Sequence, residues 1–207
     1  MKYLLKIFIF STLIICATQI RAQVTGVQYA IQYNPNTNLF DCFIYIKEGR
    51  ANSIRERVQF NAQYSLVIPT GANVEIADTD MPLIDNQKFN GIQPMSWTIS
   101  SKLISPKISP GFDLYGVTPN LAPAGFYNKL KEGDLIRLFS VSIEGENVNY
   151  DQVRLYDNDT DPKSHELGMQ NGDFSNGFTM GSYNQIYKGI KIIDQEEGNY
   201  TSIGNEK

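Results

Sequence analysis

From Val58 to Ile68 the chain alternates with hardly a fault. Val58, Phe60, Ala62, Tyr64, Leu66 and Ile68 take every second position, and Gln59, Asn61, Gln63 and Ser65 lie between them. Successive side chains of a strand point to opposite faces, so this pattern predicts one face on a core and one in water, as in an antiparallel sheet. The same period recurs upstream in Val27, Tyr29, Ile31 and Tyr33, then again in Leu39 to Lys47. Between those two runs lies Asn34-Pro35-Asn36-Thr37-Asn38, a turn by composition, so the pair predicts a hairpin. A polar loop is expected around Gly49 to Ser53. Pro69-Thr70-Gly71 ends the long strand, Val74 and Ile76 begin a short one, and Asp78-Thr79-Asp80 closes it.

Residues 81 to 96 carry no period. Trp97 to Leu103 and Phe112 to Val117 read as extended, with Pro106, Pro110 and Gly111 between them. Pro119 to Leu130 holds the one helical hint, a single turn around Phe126 to Leu130. The stretch from Lys131 to Pro162 then repeats a β grammar of turn, strand, turn, strand and acidic loop. Its first strand sets Leu135, Phe139, Val141 and Ile143 on one face and Ile136, Leu138, Ser140 and Ser142 on the other. Its second, Gln152 to Tyr156, runs into Asp157-Asn158-Asp159-Thr160-Asp161-Pro162. Phe178 to Met180 and Gln185 to Ile193 supply closing strands, after a glycine-rich polar stretch from Lys163 to Gly177. About eight to ten short strands with regular turns predict one all-β domain, an antiparallel β-sandwich of jelly-roll type. No repeat, heptad or linker divides residues 23–193, and a polar tail follows at 194–207.

The first 22 residues stand apart. Lys2 and Lys6 precede the apolar run Ile7 to Ala17, and Ile20-Arg21-Ala22 ends in a small residue before Gln23. That is the layout of a secretory signal peptide, with an apolar run too short to span a bilayer. An alternative is a lipoprotein leader acylated at Cys16, where Ile15 stands in the place of the usual small residue. Removing residues 1–22 takes Lys2, Lys6 and Arg21 from 18 basic residues and leaves 15 against 22 acidic, a net charge of −7. Such a balance argues against nucleic acid and anionic membrane surfaces, which need a basic patch. No apolar run after the leader is long enough for a membrane span, and the charge suits a secreted or cell-surface protein. Cys42 is then the sole cysteine, so no internal disulfide can form. Its place in the alternating strand reads as a small buried hydrophobe.

Several runs resemble a known domain type: Trp97-Thr98-Ile99-Ser100, Gly116-Val117-Thr118-Pro119, Glu132-Gly133-Asp134 with Leu138-Phe139-Ser140, Val153-Arg154-Leu155-Tyr156, and Gly172-Asp173-Phe174-Ser175-Asn176-Gly177-Phe178-Thr179. Together they look like a secreted β-sandwich domain common in Bacteroidetes, similar to the cohesin-like and carbohydrate-binding modules of large surface proteins. The resemblance spans most of residues 27–187. It implies the fold and an extracellular setting, and no site residue carries over.

Candidate chemistry is sparse. Asp157, Asp159 and Asp161 alternate in a loop, a spacing that can turn three carboxylates toward a hard cation such as calcium. The rest of an EF-hand loop is missing, since Pro162 and Gly168 stand where glycine and glutamate belong. The competing reading is a solvated turn. Trp97, the sole tryptophan, is either a sugar-stacking platform or a core anchor. His165, the sole histidine, sits in a polar loop far in sequence from Cys42, so no Ser–His–acid or Cys–His set and no zinc site can be argued. Paired carboxylates could hydrolyse glycosides, but nothing singles out a pair. Asn158-Asp159-Thr160 and Asn199-Tyr200-Thr201 match the glycosylation pattern. The expectation is a non-catalytic adhesion or binding module whose partner is an extracellular protein or glycan. The alternative is a structural subunit whose partners are copies of itself.

Overall fold

The alternating runs pair as the pattern demands, because each has one apolar face to hide. The computed structural model of the chain describes residues 23–78, 96–120, 127–146, 148–182 and 184–193. The predicted leader, the stretch 79–95 and the tail from 194 lie outside the described residues. Two sheets pack face to face. The first runs β11 (Tyr187–Ile190), β1 (Val24–Asn34), β2 (Leu39–Ala51), β8 (Leu135–Glu144), β4 (Asn73–Asp78), with β7 (Leu130–Lys131) on the far end of β2. The second runs β10 (Gly177–Met180), β3 (Gln59–Pro69), β6 (Phe112–Pro119), β5 (Trp97–Leu103), with β9 (Arg154–Leu155) also on β3. All pairings are antiparallel except β1 with β11. The all-β sandwich is therefore as expected. The described residues hold eleven strands, one beyond the expected range: β9 falls within the predicted strand Gln152 to Tyr156, and the addition is β7, a two-residue piece too short to show a period.

The predicted hairpin forms β1 and β2, and Asn38 takes the left-handed conformation (φ 56°) that closes its turn. The loop expected at Gly49 to Ser53 is shorter than the pattern suggested. β2 continues to Ala51 because Arg50 and Ala51 pair with Lys131 and Leu130. The chain can pass there because Gly49 (φ 88°) has no side chain; a Cβ would lie 2.2 Å from the Gln23 carbonyl oxygen. The helical turn expected around Phe126 to Leu130 does not form over its described part. Tyr127 instead donates its N–H to the Arg57 carbonyl (3.1 Å) and buries its ring completely, so a tertiary contact overrides the local preference.

Three bulges redirect the core. In β8, Cys42 faces Phe139 while Phe43 faces Arg137, so Leu138 is an extra residue. Ile136 and Leu138 point inward before it and Phe139, Val141 and Ile143 after it. Leu135 therefore leaves the interior face on which the uninterrupted period put it. In β3, Thr179 faces Asn61 and Met180 faces Gln59, so Phe60 is the extra residue. Gln59 turns inward, fully buried, where its side chain accepts from the Tyr127 hydroxyl, and Phe60 is only half-buried. The third is Thr25 in β1, answered by an extra Lys47 in β2, and Val24 and Val27, three positions apart, are both buried. A bulge adds one residue to one strand and so swaps the faces beyond it.

Between the sheets lie Tyr29, Ile44 and Phe139 from one side and Tyr64, Leu66 and Phe178 from the other. Phe139 is the hub, 5.1 Å from the Tyr64 ring in an edge-on contact and 4.9 Å from Trp97. A second apolar cluster sits on the outer face of the second sheet: Val67, Leu103, Leu114, Tyr156, Met169 and Phe174. The wet face expected for β3 is covered there, and Ser65 is fully buried.

These facings are testable by truncation. Phe139→Ala should cost about 3–5 kcal/mol, the usual range for a buried ring. Phe60→Ala and Leu135→Ala should each cost roughly 1–2 kcal/mol, as partly exposed positions do. Urea unfolding of the three variants checks this, and equal losses would mean that the bulges are misplaced.

Candidate functional site: the Asp157–Asn176 loop and the aromatic end

The acidic loop begins where β9 stops. Tyr156 donates its N–H to the Ser65 carbonyl (2.9 Å), then turns its ring into the outer cluster, 6.3 Å from Phe174. Its hydroxyl donates to the Pro162 carbonyl, which folds residues 157–161 back on themselves. Within the fold-back, Asp157 accepts the Asp159 N–H on its carboxylate (2.9 Å) and the Asp161 N–H on its carbonyl (2.9 Å). The Asp159 N–H first, helped by Thr160 and by the Arg154 charge, holds the Asp157 carboxyl below its usual range. Asp161 accepts the Asp157 N–H (2.7 Å) and both arms of the Arg154 guanidinium (2.6 and 2.7 Å). That fork raises the Arg154 pKa, the Asp161 hydrogen bond being the largest cause.

The three predicted carboxylates thus share one loop but not one task. Asp161 is neutralised by Arg154, Asp157 caps backbone amides, and Asp159 is exposed. Among the described residues no three of His, Cys, Asp and Glu form a group able to hold a metal ion. His165 is exposed on the same long loop, while Cys42 is fully buried in the core with its thiol pushed well up by burial. The two do not meet.

Asn176 was not singled out by the sequence reading, yet it organises the loop. Its carboxamide oxygen accepts from Ser65 N–H (2.7 Å) and its amide donates to the Tyr156 carbonyl (2.5 Å). It thereby fills the gap in the ladder between β9 and β10 along β3. Asn158 completes the clasp: its side chain donates to the Asn176 carbonyl (2.9 Å) and accepts the Asn176 N–H (2.7 Å). Gln63 donates to the carbonyls of Asp173 and Ser175 (2.8 and 3.0 Å). The only sequence hint was an asparagine among polar residues just before a strand, which is too common to weigh.

Trp97 is 2% exposed, and its indole N–H finds no acceptor among the described residues. It is a core anchor, and the sugar-platform reading of Trp97 is overturned by that burial. A different aromatic group does reach the surface. Tyr150 lies in a one-turn 3₁₀ helix (Tyr150–Gln152) and is 38% exposed. Its ring stands edge-on to buried Phe40 (5.6 Å, 84°) and tilted against Tyr33 (5.2 Å, 35°). The Tyr150 hydroxyl donates to the Ile143 carbonyl (3.3 Å), and that of Tyr33 to Asn38 Oδ1 (3.0 Å).

Compared with known proteins, the chain matches no family model, no curated protein and no solved structure. No helix among the described residues is long and apolar enough to cross a membrane.

The clasp yields a direct test. Asn176→Ala strands two buried backbone groups, each worth about 1–3 kcal/mol, so it should destabilise the protein by roughly 2–4 kcal/mol. Amide exchange at Ser65 and Asp157 should accelerate together. Unchanged stability would show that the loop holds without the clasp.

Proposed function

We propose that the chain is a secreted, non-catalytic binding module of the cohesin-like kind, which acts at the cell surface or in an extracellular matrix through protein or glycan contacts. The observation that carries this reading is the ordered loop from Asp157 to Asn176. Connections of this length without secondary structure of their own are uncommon in compact domains and tend to be functional. This one is held by the Arg154–Asp161 fork, the Asn158–Asn176 clasp and a small apolar cluster beneath it. It presents Asp159, His165, Leu167 and Asp173 outward on a rigid base, and Leu167 is 97% exposed. The net charge of −7 expected after loss of the leader points the same way, toward a partner that is neither nucleic acid nor an anionic membrane.

The terminal strands of the two sheets weigh against the other reading, self-assembly through strand edges. β4 carries a bulge at Ala77 and an exposed Glu75, and β5 a bulge at Ser100 and an exposed Lys102. β11 is four residues long and contains Gly189 at φ 100°. Bulges, charges and short length are the usual devices that keep edges from pairing. A calcium ion in the loop, if the protein takes one up, has Asp157, Asp159 and backbone carbonyls to work with, because Asp161 is held by Arg154.

Two measurements test the proposal. Labelled protein should bind extracellular matrix or a glycan array saturably and leave the ligand uncleaved. Turnover of a glycan, or size that grows with protein concentration alone, would contradict it. Melting curves in calcium and in chelator separate the ion from the rest: a site filled to ~100 times its dissociation constant adds about 2.7 kcal/mol and raises Tm by several degrees. Coincident curves are what the Arg154 brace alone predicts.

A further inference from the structure

We infer that Tyr33 and Tyr150 form a stacking platform for a neutral sugar ring, so that the ligand of this module is an uncharged polysaccharide. The inference rests on the binding reading above and adds to the Asp157–Asn176 loop a second contact surface, with its ligand class. Tyr150 is the one aromatic among the exposed large apolar side chains of the described residues. It packs on the core residue Phe40 yet keeps 38% of its surface exposed. Its ring is open to solvent, yet it is fixed. Phe40 supports it from beneath, Tyr33 lies against its side, and its hydroxyl is tied to the Ile143 carbonyl. The short helix that carries it is capped at Asn149, whose side chain accepts the Asp151 N–H (3.1 Å). A rigid, amphipathic ring offers contact area with little ordering left to do on binding, which is why tyrosine is favoured at recognition surfaces.

The rim decides the class of ligand. Asn36 follows Tyr33 across the hairpin turn, and Asp151 and Gln152 follow Tyr150; all three are exposed. Amide and carboxylate groups beside an apolar ring suit a molecule with hydroxyls on its edge and C–H groups on its face. The segments Asn34–Asp41 and Ile143–Val153 contain no lysine or arginine. Sulfated, phosphorylated and uronic polymers would meet acidic side chains there, and the Arg137 guanidinium that reaches Asp41 is already paired with it (3.3 Å), so the site disfavours them.

The test is affinity electrophoresis of the purified protein through gels containing mixed-linkage β-glucan, galactomannan or starch, with polygalacturonate as the charged control. At least one neutral polymer should retard the wild type and polygalacturonate should not. Tyr150→Ala should weaken the retardation roughly tenfold or more, the equivalent of about 1.4 kcal/mol. Tyr150→Phe should keep it, because the hydroxyl is spent on Ile143. Proton shifts of the Tyr33 and Tyr150 rings in the wild type, on adding a short oligosaccharide of the retarding polymer, test the site without any variant. If no neutral polymer retards the wild type, the sugar proposal fails and a protein ligand is left for the binding module. If a polymer binds Tyr150→Ala equally well and leaves both rings unshifted, glycan binding stands and this platform is wrong.

Discussion

Two tyrosines lock the sheets together by reaching in opposite directions. Tyr29 on β1 sends its hydroxyl across to the Gly177 carbonyl at the start of β10 (2.6 Å). Tyr64 on β3 sends its own back to the Ala30 carbonyl on β1 (2.5 Å). Their rings meet 4.5 Å apart between the layers. A buried hydroxyl must be hydrogen-bonded, and here each finds its acceptor only if the sheets hold their separation and register. The pair thus does part of what a disulfide does in many secreted domains, in a chain that keeps one buried cysteine after its expected leader. Both phenols must also stay neutral. Burial, first among the causes, pushes both well above the ordinary tyrosine pKa. Their contribution is accordingly complete below about pH 10 and is lost as the pH climbs above it.

The rest of the molecule is placed by that lock. Tyr64 carries the Phe139–Trp97 contact on one side, and Tyr29 carries Phe178 and Tyr187 on the other. Gly177, which accepts from Tyr29, follows Asn176, so the same bond that joins the sheets also fixes the residue that clasps the acidic loop. At the other end of β1, Tyr33 continues the inward face from Tyr29 and Ile31 and emerges beside Tyr150. The loop and the aromatic end are both anchored to strands that the tyrosines join, the loop to β3 through Asn176 and Tyr150 to β1 through Tyr33.

Most of this sandwich could be read from the period-2 pattern. Trp97 to Leu103 was bounded correctly, and Val27 to Tyr33 and Leu39 to Lys47 fell within the observed hairpin. What failed was facing near the bulges. A bulge is set by the partner strand's register, and a single strand's hydrophobicity does not contain it. One trace is in the chain, since Leu138 and Phe139 are adjacent large apolar residues, while Val67, which interrupts the polar face of β3, marks the outer cluster that covers that face. Of the candidate site, the acidic run was legible as a loop because aspartate and asparagine favour turns. Its division of labour was not, since the Arg154 fork and the Asn176 clasp join residues 7 and 111 positions from their partners. Trp97 carried no sign of its burial beyond Ile99 two residues on, whereas Tyr150 looked like one polar-loop tyrosine among twelve in the chain.

One coupled pair of tyrosines, Tyr29 and Tyr64, holds the sheets in register. A double-mutant cycle on unfolding free energy, with Tyr29→Phe, Tyr64→Phe and the double variant, measures that coupling most directly. Each phenylalanine keeps the ring and removes only the hydroxyl. Each single change should cost roughly 1–3 kcal/mol by stranding a buried carbonyl, and the double change should depart from the sum by at least about 0.5 kcal/mol. Losses near zero, or strict additivity, would contradict the account and leave the sandwich to its apolar core alone.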